Sequence, residues 1–329
     1  LDKFLFKYMN EAPQSFIYRM LRRKNIILNG KKASGSERLE TGDIITLWMS
    51  DETIDRFRSH IHVIKSDKCG PPDIIYEDEN VLVVNKASGI LSQKAEQDDI
   101  SINEICMAYL LSSGFISEKD LETFRPSVCN RLDRNTSGIM LVGKTLPALQ
   151  FLSESLKERS LKKYYYCLVC GEVTEEKHIT GYLTKDESSN TVSVSDVPGK
   201  GSSYIETGYT PLHNFITDNN GQAALLRVHL ITGRTHQIRA HLASEGHPVI
   251  GDWKYGNRKV NEYFRTKYKV RHQLLHAGLM VFGDYEGEWS YLTGKRIEAP
   301  FPALFQNVIK DLSGREEGDM SWLHGIPGD

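Results

Sequence analysis

The chain has 329 residues, 40% hydrophobic and 26% charged, enough for one large domain or two unequal ones with buried cores. No apolar run reaches the roughly 18 to 20 residues of a bilayer span, and the charged start LDKFLFKYMNEAPQ does not read as a secretory signal. The formal net charge of −2 does not by itself suggest a nucleic-acid partner, but local patches rather than the average steer a polyanion.

Residues 1–50 read as a compact unit. FLFKYMN and SFIYRMLRRKN carry apolar residues at helical spacing, with Ser15 placed to cap the second helix. IILNGKK reads as a strand with an Asn-Gly turn, and GDIITLWMS as another strand. Between Ala12 and Ser36 stand six basic residues, Arg19, Arg22, Arg23, Lys24, Lys31 and Lys32, and no acid. QSFIYRMLRRKNIILNGKK followed by LETGDIITL resembles the ribosomal S-four type RNA-binding module, which implies RNA contacts through Arg19, Arg22, Arg23, Lys24 and Lys31. The plainer alternative is that these bases only solvate a helix face. Residues 51–72 have mixed charge, end in GPP, and read as a linker.

After Pro72 come strand-like runs at IIYEDENVLVVNK, GIMLVGK, YYYCLVCG, ALLRVHL and LLHAGLMVF, with a few helices between them. Irregular spacing without βαβ alternation predicts an α+β fold, with a larger domain over residues 73–312 on a mixed, largely antiparallel sheet. DESSNTVSVSDVPGKGSS reads as an exposed hairpin or loop, and residues 313–329 as a disordered tail. The five cysteines, Cys69, Cys106, Cys129, Cys167 and Cys170, are odd in number and widely spaced, which points to a reducing compartment and a cytoplasmic protein. Cys167 and Cys170 form a CxxC, but inside a β-run residues three apart face opposite sides, so neither a metal nor a redox role is expected.

Two stretches carry chemistry. In NRLDRNTSGIMLVGK, Asp133 sits in a loop just before a core strand, and the flanking Arg131 and Arg134 favour its ionised form. In LLRVHLITGRTHQIRAHLASEGHPVIGD, a strand ends at Leu230 and a helix is expected from about Thr235 to Ser244. That helix would set Arg239 on one face with Thr235 and His236, suited to a partly buried guanidinium paired with a carboxylate. His229, His236, His241 and His247 do not follow the H-E-x-x-H pattern and have no acid among them on the helix face, so no metal is expected. Between Trp253 and His272, seven bases alternate with Trp253, Tyr255, Tyr263, Phe264 and Tyr268. That pattern suits contacts to RNA backbone and bases, or equally an amphipathic helix with a solvated basic face.

NRLDRNTSG resembles the H-R-L-D-x-x-T-S-G signature of RluA-type pseudouridine synthases, and TGRTHQIRAHLASEGHPVIGD resembles their second signature. LKKYYYCLVCG is similar to their tyrosine strand, LLHAGLMVF to their closing strand, and VLVVNKASGILS to their N-K-P-x-G opening. The resemblance implies Asp133 as the catalytic aspartate, Tyr165 as the stacking tyrosine and Arg239 as the arginine that pairs with the aspartate. It also implies Arg131 as a group that helps displace the target nucleotide, and Leu275 as an apolar wall of the uracil pocket. Tyr164 and Tyr166 would lie on the face opposite Tyr165. Asn130 replaces the family's histidine and Ala87 its proline, changes expected to touch loop packing rather than chemistry.

The resemblance thus implies isomerisation of uridine to pseudouridine in structured RNA, with large-subunit ribosomal RNA as the expected partner and without cofactor or metal; the sequence leaves the oligomeric state open, with a monomer favoured. Asp133 would attack the anomeric carbon or remove a sugar proton; the two routes are not separated at this level. A non-catalytic RNA-binding assembly factor on the same fold is the alternative, and Asp133, Tyr165 and Arg239 together argue against it. A nucleoside glycosidase would need a second acid that neither signature supplies.

Overall fold

The computed structural model describes residues 1–58, 70–96, 99–186 and 188–314. The chain divides into two units, Leu1–Lys65 with Ala108–Arg125, and Ser66–Met107 with Pro126–Asp329. No helix among the described residues is long and apolar enough to cross a membrane.

In the first unit, α1 (Asp2–Tyr8) and α2 (Gln14–Arg22) put Leu5, Met9, Ile17 and Leu21 into a core completed by Ile26 and Ala33. Pro13, with φ −58°, stands at the start of α2; Ser15 lies inside the helix and makes no cap bond, contrary to its expected role. β1 (Ile26–Leu28) turns through Asn29 and Gly30, both at positive φ, into β2 (Lys31–Lys32), as an Asn-Gly pair favours. β3 (Ile45–Leu47) pairs with the other edge of β1. Arg19, Arg22, Arg23, Lys24 and Lys31 are all exposed. Residues 51–56, read from sequence as the start of a linker, form α3 (Asp51–Arg56), whose first turn is capped by the Ser50 hydroxyl and carries Asp51 and Glu52. Residues 59–69, with Cys69 and half of the expected linker, and residues 315–329 of the expected tail lie outside the described residues.

The second unit is built on an eleven-stranded sheet. Its strands are β4 (Ile74–Glu77), β5 (Val81–Lys86), β6 (Ser127–Val128), β7 (Ser137–Gly143), β8 (Lys162–Cys170) and β9 (Lys177–Asp186). They continue with β10 (Thr191–Ser195), β11 (Ser203–Ile216), β12 (Gln222–Leu230), β13 (Leu275–Val281) and β14 (Arg296–Glu298). The order is β10-β9-β11-β12-β8-β13-β7-β5-β4, with β14 on β13 and β6 on β7. All pairings between these strands among the described residues are antiparallel except β7 with β13, so the sheet is mixed and mostly antiparallel as expected. The stretch expected as an exposed hairpin contains β10, folded back on β9.

Helices cover the sheet where its residues are apolar. α4 (Ile102–Ser112) comes between β5 and β6 in the chain. α5 (Leu146–Glu158) lays Ala148 and Leu152 on Ile139, Leu141, Val81 and Val83. α7 (Arg258–Tyr268) and α8 (Ala303–Ser313) bring Phe264, Phe305, Val308 and Ile309 onto Leu168, Ala223 and Leu225. α6 (Gln237–Ser244) places Ala240 against Leu183 and Ile205. The parallel pair sets Gly138 beside Ala277 at the start of both strands. A Cβ at Gly138 would lie 2.2 Å from the Ala277 carbonyl oxygen, and its φ of +118° is open only to glycine at low cost. That close approach sets the end of the loop before β7 beside the start of β13.

Candidate active site

The loop holding Asp133 is clasped by the segment that follows β5. The backbone N–H of Leu132 donates to Ser92 Oγ (2.9 Å), and the same hydroxyl donates to the Leu132 carbonyl (2.7 Å). Gly89 N–H and the Ser88 hydroxyl donate to the carbonyls of Arg134 and Asn135, each at 2.9 Å. Lys86 is fully buried, and its ammonium donates to the carbonyls of Ala87, Ile90 and Arg134 at 2.8–3.0 Å. Burial pushes its pKa down to about 7, opposed by the charge of Asp133. On the other side Asn130 acts as a strand partner: its Nδ2 donates to the Ile139 carbonyl (3.0 Å) and its Oδ1 accepts from Leu141 N–H (2.8 Å). The loop is irregular, yet each of these backbone groups has a partner, so Asp133 is presented on a rigid support.

Arg239 reaches the loop from α6. The helix starts at Gln237, two residues later than expected, because His236 takes a left-handed conformation (φ 55°) at its N-cap. Buried Gln237 fixes the turn: it accepts from the Thr232 hydroxyl (2.8 Å) and Arg234 N–H (3.0 Å), and donates to the Glu206 carbonyl (2.9 Å) and Thr207 Oγ1 (3.0 Å). Arg239 then donates from Nε to Asp252 Oδ2 (2.6 Å), from Nη2 to Asp252 Oδ1 (2.9 Å), and from Nη1 to Asp133 Oδ2 (2.8 Å). Burial alone would lower this guanidinium, but the two carboxylates outweigh it and push its pKa up, so the cation is permanent. One buried cation therefore serves two anions, and of these Asp133 is the partly exposed one.

Tyr165 lies on β8 with Val228 on one side and Ala277 on the other. It is 5% exposed, and burial, aided by the Asp133 charge, raises its phenol well above the ordinary value, so the hydroxyl stays protonated at neutral pH. Leu275, also buried, pairs with Cys167 and so shares this sheet face. Tyr164 and Tyr166 point to the other face, where they pack with Leu279, and Tyr164 stacks on His229 at 4.8 Å between ring centroids. Arg131 is exposed on the loop two residues before Asp133. Asp133, Arg239 and Tyr165, 106 residues apart at the extremes, are thus gathered in one place, while Arg131 and Arg134 are exposed and it is Arg239 that grips the carboxylate.

Four residues of this site were not placed in it from the sequence: Asp252, Lys86, His236 and Tyr255, the last of which was read instead among the aromatics suited to RNA contacts. Asp252 and Lys86 stand inside stretches that resemble the family signatures, but nothing local reveals that Asp252 returns beneath Arg239. The Tyr255 ring lies 5.2 Å from the Arg239 guanidinium. His236 Nε2 is 4.0 Å from Asp133 Oδ2. The other histidines face separate neighbours: His241 bonds Thr207 Oγ1 (3.0 Å) and His247 the Cys170 carbonyl (3.3 Å). The aromatic, basic stretch after Trp253 turns out to be engaged elsewhere. Phe264 is core, the Tyr263 and Tyr268 hydroxyls bond Asp218 and Asp311, and Lys267 pairs with both acids. Trp253, 45% exposed, keeps a free surface.

Residues 80–244 match the family described as RNA pseudouridylate synthase. A Vibrio cholerae protein named ribosomal large subunit pseudouridine synthase C is 30% identical over 95% of this chain and 92% of its own length. A Mycoplasma genitalium protein, named only as an uncharacterized RNA pseudouridine synthase, is 31% identical over 87% of this chain and 86% of its own. Among solved structures, human RNA pseudouridylate synthase domain containing 4 superposes with a TM-score of 0.55 at 18% identity, over 73% of this chain and 92% of that one.

Proposed function

The chain belongs to the RluA-type family of RNA pseudouridine synthases, which isomerise uridine within RNA, and on that premise we propose that its substrate is large-subunit ribosomal RNA and that Asp133, Arg239 and Tyr165 carry the reaction. The observation that carries the site assignment is the Asp133 carboxylate held at 2.8 Å by a buried Arg239 beside buried Tyr165. The ribosomal substrate rests on the names of relatives alignable over nearly the whole chain.

The target base cannot be reached inside a helix, so it is extruded at a cost of a few kcal/mol. In this reading exposed Arg131 helps displace the target nucleotide and buried Leu275 forms an apolar wall of the uracil pocket. The ribose C1′–N1 bond then breaks, the ring turns, and C1′ bonds to C5; C5 loses its proton and N1 gains one, so atoms and electrons balance without a redox partner. Asp133 supplies the anion at the sugar, by attack on C1′ or removal of a sugar proton. Arg239 holds one carboxylate oxygen and leaves Oδ1 toward the substrate. Tyr165 stacks on the detached ring. Because its phenol is protonated, it can take the C5 proton only while passing its own to Asp133. The exposed bases of the first unit form an RNA-binding module in this reading, and the reduced thiols of Cys106, Cys129, Cys167 and Cys170 suit the cytoplasm.

Asp133→Asn should abolish pseudouridine formation while RNA affinity stays within several-fold. Nucleotide-resolution mapping of pseudouridine in ribosomal RNA, with and without the gene, tests the substrate; an unchanged large-subunit profile overturns it.

A further inference from the structure

We propose that His236 is a positioning residue for Asp133, kept by the Tyr255 hydroxyl in the tautomer that points a neutral Nε2–H at the carboxylate. The inference rests on the reading of Asp133 as the reacting group. His236 occupies the left-handed N-cap of α6, φ 55°, a conformation uncommon for residues with a Cβ. From there the imidazole spans two polar groups: Nδ1 lies 2.9 Å from the Tyr255 hydroxyl and Nε2 4.0 Å from Asp133 Oδ2.

The hydroxyl decides the tautomer. Tyr255 Oη already accepts the backbone N–H of Val192 on β10 at 2.8 Å, which leaves its one hydrogen to be given to Nδ1. Nδ1 is then the acceptor, and the ring hydrogen sits on Nε2, facing Asp133. The charged and titratable groups around the imidazole are Asp133, Asp252, Arg239, Lys254 and Tyr255. Burial, with Arg239 and Lys254, outweighs the two carboxylates and holds His236 below the ordinary histidine value, so it is neutral at pH 7.

A neutral donor suits this place. Arg239 Nη1 and His236 Nε2 both approach Oδ2, so together they pin that oxygen and leave Oδ1 to the sugar. At 4.0 Å the second contact is too long for a hydrogen bond; closure by roughly 1 Å on substrate binding completes it, as catalytic hydrogen bonds commonly tighten in the bound complex. Protonation would put a second cation at Oδ2 and set a ring hydrogen against the hydroxyl hydrogen, so turnover should fall as pH drops below the ordinary histidine range.

The test is single-turnover pseudouridine formation at saturating RNA, followed against pH. H236A is expected to be slower by about tenfold or more, with little change in RNA affinity and loss of the acid limb. H236Q, whose amide N–H stands where Nε2–H stood, should recover most of that rate without the limb. H236N, whose amide reaches only as far as Nδ1, should match H236A. Y255F should slow the wild-type background but not H236Q, which has no tautomer to fix. Equal losses in both backgrounds would make Tyr255 merely an anchor for β10 and overturn the proposal, as would H236A at the wild-type rate. Because D133N is assayed alongside, an inactive D133N with a fully active H236A sinks this inference alone, whereas an active D133N sinks the reading it rests on.

Discussion

Arg239 spends two of its nitrogens on Asp252, at 2.6 and 2.9 Å, and has Nη1 for Asp133 at 2.8 Å. The residue that grips the carboxylate proposed to react is itself held by a second carboxylate whose side chain is wholly buried. The two aspartates share a cation but not a job. Asp252 holds the structure together, and Asp133 is left facing outward.

Their substitutions should therefore separate. Asp252→Ala leaves Nε and Nη2 of a buried guanidinium unpaired, with only Nη1 still held by Asp133, and is expected to cost about 3–5 kcal/mol of stability, together with activity. Asp133→Asn should leave the unfolding free energy within about 1 kcal/mol of wild type while removing turnover. Urea unfolding of the two variants side by side checks this; equal destabilisation would mean that the roles have been misassigned.

Lys86→Met keeps the length of the side chain but removes the donor to the carbonyls of Ala87 and Ile90 and one of the two donors to that of Arg134, which keeps the Gly89 N–H. A buried acceptor left unmet costs about 1–3 kcal/mol, and these bonds are only partly buried. A loss of about 1–3 kcal/mol, accompanied by faster hydrogen exchange around Asp133, is the expected result. Unaltered protection in that loop would show that the Ser92 and Gly89 bonds suffice.

His276 gives a pH signature. It accepts from the Ser137 hydroxyl at Nδ1 (2.9 Å) and donates from Nε2 to the Ala299 carbonyl (3.2 Å), and burial pushes its pKa down to about 4. Below about pH 6.5 the unfolded chain takes up a proton there that the folded chain refuses until about pH 4. Stability should thus be insensitive to this group above pH 6.5 and decline by roughly 3 kcal/mol as pH falls from 6.5 to 4. His276→Asn should flatten that part of the profile of unfolding free energy against pH. A slope identical to wild type would assign the acid sensitivity elsewhere.

Arg22 and Arg23 are exposed at the end of α2, with nearby Lys24 and Lys31 also exposed. Replacing both arginines by Ala should weaken RNA binding and reduce the slope of log affinity against log salt by about one unit per lost phosphate contact. If binding and slope are both unchanged, these bases only solvate the helix.

Much of this architecture was legible because local chemistry agreed with the final fold. The apolar runs around Val81, Ile139, Leu168, Leu225 and Leu279 became strands of the larger sheet, since hydrophobic run length and β-branching report directly on burial. β9 and β11 escaped notice because they are long strands rich in polar residues, half exposed along one face. The cap of α2 was misread because a serine near a helix start is a cap only if the helix begins just after it, and Pro13 had already begun it. The aromatic residues after Trp253 looked available for bases, yet folding engaged most of them with Asp218, Asp311 and the core.

By itself the sequence determined the residue types, the alternation that puts Tyr165 on one face and its two neighbours on the other, and the turn-forming run that exposes Asp133 before a core strand. Those are short-range consequences of side-chain volume, backbone preference and period. The meeting of Arg239 with Asp133 across 106 positions was expected only through the family resemblance, and only the tertiary structure decided that Asp252 would complete the clamp and that Lys86 would be buried beneath the loop. Such pairings depend on strand order and on the close approach of β7 and β13 at Gly138, where distance in space is set by sheet registry and not by distance along the chain.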